Sequence, residues 1–246
     1  MRFEDIQNLL DKYGESIKGL EHTPMKVTFS METPIATNDF IYFDGLLAYC
    51  VMRDLFKEKL FNIREYKSKR FEIPLPLKQS GKKYRYYHAS VGLSDEKTEF
   101  VTRWKKMFDV EHSDFIDFGG KSERIDNRRG FFKAYSIPLV CKYTKQLYFY
   151  ANGSIDEVRR LLKHLAHIGK KGSQGWGRVS GFSVERIDRD RSVFDGKKVM
   201  RPIPTKELTI KQVRGRWMRL NAFRPPYWHS KNMTECVIPE RDGRVF

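Results

Sequence analysis

A glycine-rich and basic stretch at residues 167–179 is the part of the sequence best suited to hold a ligand. It reads His-Ile-Gly-Lys-Lys-Gly-Ser-Gln-Gly-Trp-Gly-Arg-Val and combines four glycines with Lys170, Lys171 and Arg178. Glycine adopts positive φ without steric cost and leaves backbone N–H groups exposed, while the cations add positive charge. The chemistry that this pattern predicts is the binding of a phosphate backbone.

The stretch differs from the loops that bind nucleotides. It lacks Gly-Lys-Ser and Gly-Lys-Thr, and it follows a predicted second helix rather than a first strand, so it matches neither a P-loop nor a dinucleotide-binding turn. Trp176 either packs inward as an anchor or lies against a base or sugar, and packing is favoured. The predicted RNA contacts of this stretch are His167, Gly169, Lys170, Lys171, Gly172, Ser173, Gln174, Gly175, Trp176 and Arg178.

Composition points to a polyanionic partner. Lys and Arg total 47 against 31 Asp and Glu, giving a formal net charge of +16, and 14% of the residues are aromatic. Cations interleaved with aromatic rings favour nucleic acid over a membrane surface. No apolar run approaches the roughly 18 residues of a spanning helix. The first residues also lack the apolar core of a signal peptide, and we therefore expect a cytoplasmic protein.

Neither metal binding nor catalysis is indicated by the residue types that most often perform them. Cys50, Cys141 and Cys236 are far apart and have no partners at metal-ligand spacing. We predict buried thiols at Cys50 and Cys141, no disulfide, no zinc and no cofactor. Each histidine is interpreted as a surface residue or an RNA contact rather than a catalyst: His22, His88, His112, His164, His167 and His229.

The elements that must position the loop follow a β-α-β-β-α-β order. Hydrophobic periodicity predicts strands at 25–31, 131–141, 146–151 and 179–187, and helices at 43–56 and 154–165. The two middle strands are expected to pair, and Ser154 with Glu157 to form a capping box. Asp44 is interpreted as a helix N-terminal residue rather than a catalytic one. The predicted fold class is α+β, with a ferredoxin-like (RRM-like) core.

Residues 61–130 are predicted to form a basic, β-rich insertion. Strand-like pieces at 71–77 and 83–91 flank a turn, which indicates a hairpin with a basic tip. Because aromatic rings alternate with cations there, RNA contacts are predicted at Arg85, Tyr87 and His88. The alternative interpretation, weighted nearly evenly, is that the tyrosines pack on the core, and the insertion as a whole also fits a solvated charged face. The candidates for contact with target DNA are Lys82, Lys83, Arg124, Arg128 and Arg129.

The sequence divides into four parts. They are an N-terminal helix or arm at 1–24, a core at 25–60 and 131–190, the insertion at 61–130, and an irregular C-terminal extension at 191–246. The extension is rich in proline and arginine and is expected to wrap the core. Tyr227 and Trp228 are predicted to dock onto the protein's own core rather than onto a partner.

Three motifs together resemble a known superfamily. They are the first strand running into Pro34 and then Tyr42-Phe-Asp-Gly-Leu-Leu-Ala-Tyr49, the loop from Gly169 to Val179, and Arg224-Pro-Pro-Tyr-Trp228. They are similar to the RAMP superfamily of CRISPR-associated RNA-binding proteins, most closely to the Cas-five-like subunit of type IV effector complexes that binds the crRNA 5′ handle. The resemblance implies a glycine loop that holds the guide RNA backbone and a thumb hairpin that displaces nucleotides. It also implies crRNA, RAMP backbone subunits and a large subunit as partners.

The resulting hypothesis is a non-catalytic crRNA-binding subunit of a type IV RNA-guided DNA-targeting complex. The alternative is a metal-independent endoribonuclease of the same superfamily, in which a histidine, lysine or tyrosine acts near a ribose 2′-OH. The processing nucleases usually carry their glycine loop close to the C-terminus, whereas 65 residues follow Gly181 here. A scaffold that contacts only protein would leave the cationic excess unexplained.

Overall fold

The computed structural model describes residues 3–57, 71–116, 125–240 and 245–246. The helices are α1 (Phe3–Ser16), α2 (Phe43–Phe56), α3 (Ile155–Leu162) and α4 (Ile210–Val213). The strands are β1 (Thr23–Met31), β2 (Ile35–Ala36), β3 (Gln79–Ser80), β4 (Tyr86–Tyr87), β5 (Thr98–Lys106), β6 (Tyr135–Tyr143), β7 (Gln146–Gly153), β8 (Val179–Arg186), β9 (Phe194–Asp195), β10 (Lys198–Val199), β11 (Ile203–Pro204), β12 (Met218–Ala222) and β13 (Met233–Val237).

The central sheet has the order β7-β1-β8, and both pairings are antiparallel. Alternation along β1 buries Met25, Val27 and Phe29 on one face and leaves Lys26 and Thr28 on the other. The buried face carries the main hydrophobic cluster, in which the ring of Phe29 meets that of Phe149 edge to face. The predicted strands at 25–31, 146–151 and 179–187 are therefore confirmed.

Three helices cover the buried face of this sheet. In α2, Phe43, Leu47 and Val51 recur at helical spacing and are completely buried. Helix α1 contributes Ile6 and Leu10 to the same cluster, so the predicted N-terminal arm is part of the core. The α+β, ferredoxin-like arrangement that the sequence predicts is present.

The fourth position of the ferredoxin-like sheet is filled by a different segment from the one predicted. Residues 77–93 run along the free edge of β7 through antiparallel bridges from Leu77 to Gly153, Ala89 to Ala151 and Leu93 to Tyr148. Leu75, Leu77 and Tyr87 are buried in the main cluster. This part of the predicted insertion belongs to the core, because its apolar residues complete the sheet's buried face.

Strand β6 instead forms a long antiparallel hairpin with β5, nine residues per strand, and β2 pairs with its other edge. We name β5 and β6 the long hairpin; at about 3.3 Å per residue its strands extend for roughly 30 Å. The expectation that 131–141 pairs with 146–151 is wrong. Both segments are apolar, and their partners lie far apart in sequence, so periodicity alone does not identify them.

Helix α3 begins where the sequence predicts but without the predicted capping box. The Ser154 side chain makes no cap hydrogen bond. The carboxylate of Glu157 binds Arg160, at 2.8 Å, and accepts a hydrogen bond from the Tyr13 hydroxyl, also at 2.8 Å. Glu157 therefore links α3 to α1 and does not satisfy the N-terminus of its own helix.

The C-terminal extension contains more strand than its proline content indicates. Strands β11, β13 and β12 form a small sheet that encloses a second apolar cluster with Tyr86 and Phe223. Tyr227 stacks on Tyr42 with ring centroids 3.9 Å apart. Its docking on the protein's own core is thus confirmed, whereas Trp228 is 59% exposed.

Candidate nucleic-acid interface

The glycine loop, residues 167–179, is fastened to the segment that leaves β1. The N–H of Lys170 donates to the carbonyl of Ala36 and the N–H of Gly177 to the carbonyl of Pro34, each at 2.8 Å. The Thr33 hydroxyl donates to the carbonyl of Gly175 at 2.7 Å and accepts from the N–H of Arg178 at 2.8 Å. These contacts fix the loop's path before any ligand binds.

Two glycines are required by this docking. Gly177 has φ of 66°, and a Cβ there would collide with the carbonyl oxygen of Ile168. Gly169 has φ of 92°, and its Cβ would lie 2.7 Å from the carbonyl oxygen of Ala36. Lys171 is left-handed without being glycine, with φ of 63°. A non-glycine residue in this conformation has a strained backbone, and such strain often accompanies a binding site.

The loop offers fewer N–H groups to an anion than its glycines suggest. About half of its amides donate within the protein. Among those that do not, the amides of Lys171, Gly172 and Ser173 are consecutive and have no backbone partner among the described residues. They lie at the N-cap and the first two positions of a short 3-10 turn at Gly172–Gln174. Three consecutive free donors beside two lysines are still a suitable arrangement for one phosphate group.

The loop rests on one face of the long hairpin. Trp176 packs on Ala36, Leu139 and Cys141, and its ring centroid lies 6.5 Å from that of Phe100. The inward-packing interpretation of Trp176 is therefore confirmed. Its indole anchors the loop to the hairpin and gives the loop a fixed orientation.

Further along the same face, a cation and two aromatic rings meet. The Lys171 ammonium lies over the Trp104 ring, 2.9 Å from its centroid, and Trp104 lies 4.7 Å from Tyr135. Phe100, Trp104 and Tyr135 share a face because they alternate along paired strands. The sequence pattern at 98–106 contains this alternation, but only the fold shows that the face meets the glycine loop.

Two of the three charged side chains of the loop project outward. Lys170 and Arg178 are exposed, as are Ser173 and Gln174. Arg178 pairs with Glu32 at 2.9 Å, with both side chains largely in solvent. Because exposed ion pairs contribute little free energy, this pair does not prevent Arg178 from binding phosphate. His167 bridges to Arg178 at the base of the loop and is half-buried.

The smaller hairpin, β3 and β4, does not present its aromatic rings as predicted. Tyr87 is buried in the main cluster and donates to the carbonyl of Ile73 at 3.0 Å. Tyr86 faces the second cluster. Both faces of this strand are packed, so core packing is the interpretation that the structure supports. Arg85 alone of the three predicted contacts here is exposed.

His88, the third of these, is held inside a hydrogen-bond chain. Its Nδ1 lies 2.8 Å from Asp190 Oδ2, and its Nε2 lies 2.7 Å from the Ser80 hydroxyl. Burial raises the pKa of Asp190, but hydrogen bonds from His88, Ser192 and Asn152 outweigh burial and hold that pKa well below its ordinary value. Sequence reasoning missed this chain because Asp190 lies 102 residues from His88.

The candidate DNA contacts that the structure describes are exposed. The backbone N–H groups of Lys82, Lys83 and Tyr84 surround the carboxylate of Glu207, while both lysine side chains are exposed. Arg128 and Arg129 are exposed on a turn, and Arg129 pairs with Asp126 at 3.2 Å. Arg124 lies outside the described residues.

The described residues contain no group of three or more His, Cys, Asp or Glu that would hold a metal ion. All three cysteines are buried, as predicted for Cys50 and Cys141, and burial raises the pKa of the Cys50 and Cys236 thiols to about 12. Among the described helices, none is both long and apolar enough to span a membrane.

Together, the fold and the docked loop define an α+β protein with a ferredoxin-like core and a glycine loop seated on a long hairpin. The sequence model of the family described as CRISPR type IV associated protein Csf3 matches residues 23–239, and the chain belongs to that family. No curated protein matches the sequence. Among solved structures, a chain matches in the cryo-EM structure of the Type III-B Cmr-beta bound to cognate target RNA. The identity is 11% and the TM-score 0.35, and the match covers 76% of this chain and 68% of that chain.

Proposed function

We propose that this type IV CRISPR-associated protein is a non-catalytic subunit that binds the 5′ handle of the crRNA. The observation that carries the proposal is the seating of the glycine loop on the long hairpin. It places the Lys171 ammonium over Trp104, which packs on Tyr135. Lys170 and three consecutive backbone N–H groups without a backbone partner lie in the same loop. Single-stranded RNA requires such a surface, because cations hold its phosphates and rings stack on its splayed bases.

In this proposal the loop and the long hairpin have separate roles. Lys170, Lys171, Ser173, Gln174 and Arg178 hold successive phosphates, which fixes the register of the strand without reading its sequence. The hairpin, which extends from the core, takes the role of the thumb. Further RAMP subunits and a large subunit pack on the core, and the exposed cations at Lys82, Lys83, Arg128 and Arg129 serve target DNA.

The test is the salt dependence of guide binding. The triple variant Lys170→Ala, Lys171→Ala, Arg178→Ala should bind repeat-derived RNA at least about tenfold more weakly. The slope of log K against log salt should flatten by about 2, since each phosphate contact to a single strand contributes about 0.7. Fluorescence anisotropy at several salt concentrations measures both quantities.

A matched control separates the site from the general charge. Lys18→Ala, Lys206→Ala, Lys211→Ala removes the same charge from three exposed positions and should leave affinity and slope close to those of the wild type. If the two triple variants lose affinity equally, the loop is not the guide site.

A second function, metal-independent cleavage of repeat RNA, is favoured by one observation, the Ser80–His88–Asp190 chain. A histidine oriented by a carboxylate is a suitable general base. Against it, both ring nitrogens of His88 already have partners and its side chain is only 13% exposed. Incubation of the wild type and of His88→Ala with repeat RNA in the presence of a chelator tests this second function. Specific cleavage that the substitution abolishes would establish that the protein is an enzyme.

A further inference from the structure

A cavity lies on the opposite face of the central sheet from the helices. It has a volume of about 450 Å³ and is bounded by β7 and the segment 189–200. Tyr148 and Tyr150 form its floor because alternation along β7 directs them away from the main cluster, into which Leu147 and Phe149 point. Its size lies within the range of about 300–1,000 Å³ that is usual for small-ligand sites.

The wall of the cavity is cationic. Arg189, Arg191, Lys197 and Lys198 line it against two carboxylates, Asp195 and Glu240, so its net formal charge is 4 − 2 = +2. Arg191 approaches Asp195 only to 3.8 Å. Arg189 and Lys197 form no ion pair with any described residue. The wall therefore has positive charge that its own acidic residues do not neutralise.

The floor is aromatic and fixed in place. Tyr148 and Tyr150 meet edge to face with centroids 5.9 Å apart. The Tyr148 hydroxyl donates to Asp95 at 2.9 Å, and the Arg191 guanidinium lies 5.7 Å from the Tyr150 centroid. A half-buried ring beside a guanidinium matches a nucleotide, which presents a flat base and a phosphate to the same site.

The two arginines are positioned by the residue between them. Asp190 accepts hydrogen bonds from His88 and from the Asn152 side chain, both at 2.8 Å, and from the N–H of Ser192 at 2.9 Å. These bonds fasten the backbone between Arg189 and Arg191 to the core. The Ser80–His88–Asp190 hydrogen-bond chain, which resembles a catalytic arrangement, therefore fixes the backbone that carries Arg189 and Arg191 at the cavity wall.

We propose that this cavity holds one unstacked nucleotide of a single strand, with its base against Tyr150 and adjacent phosphates at Arg189, Arg191 and Lys197. The inference rests on the proposed function and extends it to a second contact point, on a different surface from the glycine loop. A strand fits better than a free nucleotide. Arg189, Arg191, Lys197 and Lys198 are all exposed, and four cations exceed the charge of one monophosphate but suit successive phosphates.

The test is photo-crosslinking of a single-stranded RNA that contains 4-thiouridine, followed by peptide mapping. Crosslinks are expected on the peptide that contains Tyr148 and Tyr150. They should persist in the loop triple variant and disappear in Arg189→Ala, Arg191→Ala. This double variant should also bind the RNA on the order of tenfold more weakly, while Lys18→Ala, Lys211→Ala, which loses the same charge, should not. Both arginines are exposed, and an unchanged Tm confirms that the double variant is folded.

Each other outcome has a distinct meaning. If the loop crosslinks and the cavity peptides do not, the cavity proposal is overturned while the proposed function stands. If the wild type binds no single strand at all, both are overturned. Displacement of the cavity crosslink by uridine monophosphate at the concentration of the RNA would assign the site to a free nucleotide and overturn the assignment to a strand.

Discussion

Arg201 shows how far a single residue can depart from what its type suggests. Its guanidinium is completely buried. It pairs with Asp44 at 3.2 Å and donates to the carbonyl oxygens of Phe223, Tyr87 and Ala89. The proline-rich and arginine-rich extension is therefore joined to the core by a buried ion pair, which is tolerated because nearly every donor is satisfied.

Asp44 has a further role in addition to the helix-terminal one predicted. It does accept from the N–H of Gly45 at 3.0 Å, but it also binds Arg201 and accepts from the Tyr227 hydroxyl at 2.6 Å. Burial raises the pKa of Asp44, while Arg201 and the Tyr227 hydroxyl partly offset that effect. The carboxylate thus connects α2 to two separate points of the extension.

At the residue scale we predict that Asp44→Ala destabilises the protein by about 3–5 kcal/mol, because it leaves the Arg201 charge buried without its partner. Tyr227→Phe, which removes only one hydrogen bond to the same carboxylate, should cost about 1–2 kcal/mol. Urea denaturation measures both. A cost below about 1 kcal/mol for Asp44→Ala would show that the backbone carbonyls alone satisfy the guanidinium.

At the scale of elements, the glycine loop is a docked structure rather than an open one. Its glycines meet two different demands. Gly177 needs both a positive φ and the absence of a Cβ, since the Ile168 carbonyl is in contact. Gly175 has φ of 86° but nothing within 4 Å of where its Cβ would lie. Substitutions at Gly175 and Gly177 therefore separate the free-energy cost of the backbone conformation from that of a steric clash.

We expect Gly175→Ala to cost about 1 kcal/mol, from backbone conformation alone. Gly177→Ala should cost about 2–4 kcal/mol, because the loop must also move away from Ile168. The second substitution should weaken RNA binding as well, since it displaces Lys170 and Lys171, and the first should not. Thermal denaturation and anisotropy test this; equal effects of the two substitutions would contradict the steric argument.

At the scale of the whole molecule, the main hydrophobic cluster draws on the chain from α1 to Phe246. Phe246 is buried, and its N–H donates to the carbonyl of Gly92 at 2.8 Å. That bond joins the last described residue to the segment at the edge of β7. Core, edge segment and extension consequently form one packed unit rather than a core with separable appendages.

We predict that Phe246→Ala lowers the free energy of unfolding by about 3–5 kcal/mol, the usual cost of removing a buried phenylalanine ring. Phe131→Ala, at a ring that is 81% exposed, should change it by less than about 0.5 kcal/mol. Chemical denaturation followed by circular dichroism compares the two. Similar small changes would place Phe246 outside the cooperative core.

The sequence by itself determined the strands and helices whose periodicity is strong. It also indicated the glycine loop, the inward packing of Trp176 and the docking of Tyr227. These features depend on local spacing and on residue type, which can be read without knowing the partners.

Only the tertiary structure decided which strands pair and which charges meet. It placed residues 77–93, rather than the predicted residues 131–141, at the edge of the central sheet. It also brought Lys171 over Trp104, joined His88 to Asp190, and paired Arg201 with Asp44 in the core. The physical reason is that strand pairing and ion pairs join residues tens to hundreds of positions apart, and many alternative partners satisfy the same local pattern. The choice is made by the burial of the whole core at once.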